Sequence, residues 1–239
     1  MKIHGLQKLT LLDYPGKVAC TVFFAGCNFR CPFCHNASLV THVDPALEIP
    51  EEDVTSFLKK RAGVLDGVCI TGGEPLLAGD LEPFLEEVRR LGYLIKLDTN
   101  GSNAQRLKYF VRRGLIDYVA MDIKNSPEKY GMTVGIDEYD LENIRESVRF
   151  LMSGAVPYEF RTTVVREFHK RADFLEIGKW LAGAERYYLQ KFTDSGDLIC
   201  REMGLRAYTD DIMEQALEIV REYVPNARLR GIDENRSDG

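Results

Sequence analysis

Short runs of apolar and β-branched residues alternate along this chain with longer stretches whose apolar positions recur every three or four residues. The runs 17–24, 67–71, 94–98, 118–122, 158–165 and 187–192 predict strands, each bounded by polar or glycine positions. The stretches 51–61, 80–91, 102–113, 141–152, 173–181 and 209–223 predict helices. Leu81, Phe84, Leu85, Val88 and Leu91 share one face at helical spacing, and Leu141, Ile144, Val148 and Leu151 do the same. Six strand-then-helix units predict a parallel sheet with helices on its outer side. A closed eight-strand barrel needs two more units, so the expected fold is α/β, a partial (β/α)6 TIM-like barrel. Residues 3–12 and the turn Asp13-Tyr14-Pro15-Gly16 are expected to add a short N-terminal strand or hairpin. Such folds carry function beyond the C-terminal ends of their strands.

A chain of 239 residues suits one domain, expected over 1–231, ahead of a polar tail at 232–239 expected to fray. Hydrophobic residues at 45 % and charged residues at 28 % are ordinary for a soluble globular protein. A formal net charge of −6 argues against a broad nucleic-acid or anionic-membrane surface. No apolar run approaches the ~18 residues of a membrane span, and the first seven residues hold no export signal. A cytoplasmic location is the expectation.

The candidate chemistry gathers in Cys27-Asn28-Phe29-Arg30-Cys31-Pro32-Phe33-Cys34, directly after the first strand. Its C-x3-C-x2-C spacing supplies three thiolates, one short of the set that normally holds a 4Fe-4S cluster, leaving one iron open. The same residues admit other readings. Cys31-Pro32-Phe33-Cys34-His35 fits the haem-attachment pattern C-x-x-C-H, which requires export. Three cysteines and His35 could hold zinc, although ligands packed this tightly usually need a second pair further along. A disulfide needs an oxidising compartment, and a thioredoxin-like C-x-x-C leaves Cys27 unused. Cys20 and Cys69 lie in strand runs, where cysteine is usually a small buried residue. Cys200 lies in a polar loop and is assigned no role.

This run resembles the cluster loop of the radical S-adenosylmethionine (SAM) enzymes. The resemblance implies a 4Fe-4S cluster on Cys27, Cys31 and Cys34, with SAM chelated to the open iron. One electron would break the sulphur–C5′ bond of SAM, giving methionine and a 5′-deoxyadenosyl radical that abstracts a hydrogen atom. A partial barrel is that family's core fold. Phe33 matches the aromatic position bordering the adenine; alone it reads as core packing. Arg30 and His35 could donate to cluster sulphurs or serve only the surface.

Three further motifs fall at strand ends. In Thr71-Gly72-Gly73-Glu74-Pro75-Leu76 the glycines allow close backbone approach to a ligand, and Glu74 can accept from an ammonium. The family uses this run to contact the amino group of SAM. Leu97-Asp98-Thr99-Asn100-Gly101-Ser102 could cap the next helix through Asn100 or Ser102. It also resembles the D-T-N-G motif of glycyl-radical enzyme activators, which places Asp98, Thr99 and Asn100 near SAM and a monovalent cation beside its carboxylate. Asp122 and Lys124, two apart on a strand, share a face. They match the D-x-K motif of the activators, with Lys124 on the SAM carboxylate and Asp122 helping to hold the cation. Arg161 sits in a strand expected to be buried and needs an anionic partner, for which SAM or the substrate is available. Where the pyruvate formate-lyase activators have a histidine, this chain offers Gln190.

The resemblance runs from Gly5 to about Gly231, and the opening 5–17 is most similar to activators of anaerobic ribonucleoside-triphosphate reductase. It implies a glycyl-radical protein, anaerobic ribonucleotide reductase, as partner, and flavodoxin or ferredoxin as reductant. A radical SAM enzyme acting on a small molecule, such as a deazapurine precursor, is the first rival. A non-enzymatic zinc or electron-transfer protein is the second; it leaves Glu74, Asp98 and Lys124 at strand ends without a reason.

Overall fold

The computed structural model describes residues 2–194 and 196–232; from residue 233 the expected polar tail lies outside them. In chain order the elements are β1 (Ile3–Thr10), β2 (Ala19–Phe24), α1 (Ala37–Val40), α2 (Glu51–Lys60), β3 (Gly67–Gly72), α3 (Leu81–Arg90), β4 (Leu94–Thr99), α4 (Ala104–Arg112), β5 (Tyr118–Asp122), α5 (Tyr130–Val134), α6 (Glu142–Met152), β6 (Tyr158–Val164), α7 (Arg171–Trp180), β7 (Tyr187–Lys191), α8 (Asp210–Arg221) and β8 (Arg228–Arg230). All six predicted strands form, as β2 to β7, and the N-terminal strand is β1. The fold is α/β with strands and helices in alternation, as the hydrophobic periodicity predicts. The described residues form two compact units, one within Met1–Arg30, Asn36–Met121 and Glu142–Tyr158, the other within Cys31–His35, Asp122–Leu141 and Glu159–Gly239.

In the first unit β1 runs antiparallel to β2, and β2 to β5 pair in parallel in sequence order. Val68, Cys69 and Ile70 of β3 are fully buried on both faces of the strand, as in a parallel sheet covered on each side. Helix α3 buries Leu81, Phe84, Leu85 and Val88, and the Phe84 ring meets Phe24 of β2 edge-on at 6.0 Å. Helix α4 is capped by Asn103, whose side chain accepts from the Arg106 N–H at 3.2 Å, and not by Asn100 or Ser102.

In the second unit β6, β7 and β8 pair in parallel, with Arg161 opposite Tyr188, Thr163 opposite Gln190, and Gln190 opposite Arg230. One face is apolar and closed: Tyr187 and Thr162 bury their hydroxyls against each other at 2.7 Å. The other carries the half-buried Arg161, Thr163, Tyr188, Gln190 and Arg230. The fully buried Glu159 takes both guanidinium nitrogens of Arg230, at 2.8 and 2.9 Å. Strand β8 was not expected, since Arg-Leu-Arg shows no strand pattern over three residues.

The backbone after β3 is pressed against the chain leaving β2. The Gly73 N–H donates to Phe24 O and the Glu74 N–H to Gly26 O, both at 2.8 Å. A Cβ on Gly72, whose φ is +122°, would stand 2.2 Å from Phe24 O, and one on Gly73 would stand 2.0 Å from Gly26 O. Both glycines are therefore required by backbone-to-backbone approach, apart from any ligand. Gly73→Ala is expected to cost about 2–3 kcal/mol by overpacking, a fall in melting temperature of roughly 4–12 °C. Thermal unfolding followed by circular dichroism checks this, and an unchanged melting temperature would contradict the contact.

Candidate functional site

The first unit positions Cys27, Gly72, Gly73, Glu74, Asp98, Thr99 and Asn100. Glu74 is the organising group. Its buried carboxylate accepts from the Leu76 N–H at 3.1 Å and the Thr99 hydroxyl at 2.8 Å through Oε1, and from the Asn100 N–H at 2.6 Å through Oε2. The G-G-E-P turn thereby fastens the D-T-N-G turn. Asn100 in turn donates through Nδ2 to Asn28 Oδ1 at 3.0 Å and lies 3.7 Å from Cys27 Sγ, which also receives the Phe29 N–H at 3.3 Å. Asn28 donates to the Ser102 hydroxyl at 3.0 Å. Donors aimed at Cys27 Sγ suit a thiolate that ligates iron, whose potential responds to such hydrogen bonds. Arg30 turns back on its own loop, donating to Cys27 O at 2.6 Å and Phe29 O at 2.8 Å. Asp98 is paired with the fully buried ammonium of Lys96 and lies 3.5 Å from the Thr71 hydroxyl.

The second unit positions Cys31, Phe33, Cys34, Asp122, Lys124 and Arg161. Asp122 takes Arg161 Nε on Oδ1 and Lys124 Nζ on Oδ2, each at 2.9 Å. The anionic partner that Arg161 requires is thus supplied within the chain by Asp122. Burial acts to raise the Asp122 carboxyl, but the Arg161 guanidinium and the Lys124 ammonium outweigh it and hold that carboxyl well below the usual range. Burial acts to lower Lys124, and the Asp122 carboxylate, by its charge and its hydrogen bond, carries it above its ordinary value. His35 is held below the ordinary histidine value by burial and then by Lys124. Phe33 is 3 % exposed, with its ring 5.5 Å from that of Phe168. The loop's far end is tied by the Cys200 N–H to Pro32 O at 3.1 Å and the Ile199 N–H to Cys34 O at 3.3 Å. Cys200 therefore lies against the cysteine loop, although its side chain shows no role there.

All six cysteines are thiols. Among the described residues no three His, Cys, Asp or Glu groups gather as around a single metal ion. The donor chemistry nevertheless fits a cluster: three cysteines on one short loop, with N–H donors on Cys27. A cavity of about 520 Å³ runs along α4, lined by Gln105, Arg106, Lys108, Tyr109, Arg112 and Arg113, and shares no residue with these groups. No helix among the described residues is long and apolar enough to cross a membrane. Sequence reasoning missed Asn28, Lys96 and Ser102. Only the position of Asn28 between two cysteines offered any signal.

The family model of the radical SAM superfamily matches residues 21–181. A protein of Methanocaldococcus jannaschii named for glycyl-radical enzyme activation is 28 % identical over 238 residues, spanning 97 % of this chain and 96 % of that one. The pyruvate formate-lyase-activating enzyme of Staphylococcus aureus is 30 % identical over 243 residues, covering 93 % of this chain and 94 % of its own. A solved domain of pyruvate-formate lyase-activating enzyme from Bacteroides vulgatus shares the fold, with a TM-score of 0.56 and 18 % identity over 69 % of this chain and 99 % of that one.

The Lys96–Asp98 pair makes a stability prediction. Lys96→Met strands a carboxylate in a site where the lysine side chain is 2 % and the aspartate 16 % exposed, at an expected cost of about 3–5 kcal/mol. Adding Asp98→Asn should recover a large part of that loss. Urea unfolding of the two single variants and the double variant checks this; additive losses would show that the two side chains act independently.

Proposed function

We propose, since this chain belongs to the radical SAM superfamily and is an enzyme of its glycyl-radical enzyme activating branch, that it generates a glycyl radical on an anaerobic ribonucleotide reductase. The family implies a 4Fe-4S cluster and SAM. Cys27, Cys31 and Cys34 hold the cluster in this reading. When bound, cluster and SAM supply one-electron cleavage of the sulphur–C5′ bond and a 5′-deoxyadenosyl radical able to take a hydrogen atom from a glycine Cα.

The chain's own residues bind and orient. In the first unit Gly72 and Gly73 bring backbone close to the ligand, and Glu74 holds the Asp98–Thr99–Asn100 turn in place for it. In the second unit Phe33 supports the wall against the adenine. Lys124 and Arg161 would meet the SAM carboxylate, and Asp122, which holds both of them, would help to hold a monovalent cation there. The observation that carries the reading is the pairing of two cations on one carboxylate at the end of β5, Lys124 Nζ and Arg161 Nε each 2.9 Å from Asp122. A positive charge fixed at a strand end is where an amino-acid ligand such as SAM would place its carboxylate. The reductase as partner rests on the resemblance of the opening 5–17, and flavodoxin or ferredoxin supplies the electron.

Anaerobic reconstitution with iron and sulphide, dithionite reduction and chromatography for 5′-deoxyadenosine test the chemistry. Cys31→Ala is expected to lose SAM cleavage together with most of its bound iron; cleavage retained in that variant would remove Cys31 from the cluster. Electron paramagnetic resonance after mixing with the reductase and SAM tests the partner. A glycyl-radical signal is expected, and 5′-deoxyadenosine formed without it would send the search to another substrate. Lys124→Ala should raise the SAM dissociation constant by at least about tenfold, the scale of a lost charge-assisted contact of roughly 1.5–3 kcal/mol, with iron content unchanged.

A further inference from the structure

His169 is fully buried, follows β6 by one turn, and has no part in the assignments above. Both ring nitrogens are engaged. Nδ1 lies 3.1 Å from the Val165 N–H and 3.2 Å from Val165 O, while Nε2 lies 2.9 Å from Lys124 O. A carbonyl oxygen can only accept, so Nε2 carries the proton and donates it to Lys124 O; Nδ1 then accepts from Val165 N–H. The imidazole also packs on aromatic neighbours, stacked on Phe174 at 6.1 Å and edge-on to Phe33 at 6.5 Å. The adjacent Phe168 touches Phe33 through its ring and accepts the Asn125 side-chain N–H at 3.1 Å through its carbonyl. One buried turn thus grips the residue carrying the ammonium, the residue after it, and the aromatic residue between Cys31 and Cys34.

We propose that His169 is a positioning residue for SAM binding: by donating Nε2–H to the Lys124 carbonyl while packing against Phe33, it fixes where the Lys124 ammonium stands relative to the cysteine loop. This rests on the reading of Lys124 as a SAM contact. The imidazole touches no ligand itself. Its geometry supplies a rigid donor of fixed reach, and a lysine stem anchored at its own carbonyl loses less freedom on engaging a carboxylate. Burial keeps the ring neutral, which preserves the single donor and single acceptor that the two contacts need.

Two replacements separate this role from a purely structural one. His169→Gln is long enough to donate to Lys124 O. His169→Asn can still accept from Val165 N–H but falls short of Lys124. Equilibrium dialysis of SAM against anaerobically reconstituted protein, with iron and sulphide counted and folding checked by circular dichroism, gives the readout. His169→Asn is expected to weaken SAM binding about tenfold with the cluster intact, as supporting contacts commonly do. His169→Gln should stay within about threefold of the unaltered protein by the same scale. Lys124→Ala combined with His169→Asn should be no weaker than Lys124→Ala alone, since the histidine acts through the lysine. Equal SAM affinity in the Asn variant and the unaltered protein overturns the proposal, as does equal loss in the Asn and Gln variants. If Lys124→Ala itself binds SAM normally, the reading of Lys124 fails first; if only the histidine variants are silent, that reading stands and the positioning role alone falls.

Discussion

A charge taken out of water must find its counter-charge inside the protein, and in the second unit that requirement is met by Asp122. One carboxylate holds two cations, Arg161 from β6 and Lys124 just beyond β5. The three charges sum to +1. Neither shift disturbs this at neutral pH. Asp122 is depressed, so its contribution to stability is present above an unfolded pKa of about 3.9 and is lost only as pH falls below it. Lys124 is raised, so its contribution is present below about 10.4 and is lost only as pH rises past that value. Between those limits the triad keeps its charge state, while burial, then Lys124, act against Asp122 to hold His35 below the ordinary histidine value.

The cysteine loop is secured differently in the two units. Cys27 to Arg30 belong to the first, where uncharged contacts do the fastening: Gly26 O accepts from Glu74 N–H, and Asn28 and Asn100 bond each other. Cys31 to His35 belong to the second, where backbone donors from Ile199 and Cys200 meet Cys34 O and Pro32 O. In both units main-chain carbonyls and amides of the loop take part in the fastening.

The repeating parts of this structure were legible in the sequence. Six strands and the long helices follow from periods of 2 and 3.6 residues, which buried faces impose on any chain. Strand β8 was not, because three residues with two arginines carry no period; it exists through Glu159, which pairs with Arg230 across 71 positions. Motif positions could be placed at strand ends, but their partners could not. Asp122 as the partner of Arg161, Lys96 beneath Asp98 and Asn103 in place of Asn100 as the cap are all set by tertiary neighbours or by a shift of two or three residues in a helix start. Glu74 illustrates the limit best. Its type and place suggest an acceptor for an ammonium; the three donors of its own unit that its oxygens also take are not named by the sequence.

A carboxylate held by backbone and hydroxyl donors is rigid, and a rigid turn can present its atoms to a ligand more accurately than a mobile one can. The same logic runs through Asp122, which holds two cations, and through Lys124, gripped at its carboxylate partner on one side and at its own carbonyl on the other. Chemistry that depends on placing one reactive carbon beside one C–H bond tolerates little positional error. Many of the polar groups around the motif turns therefore hold one another still.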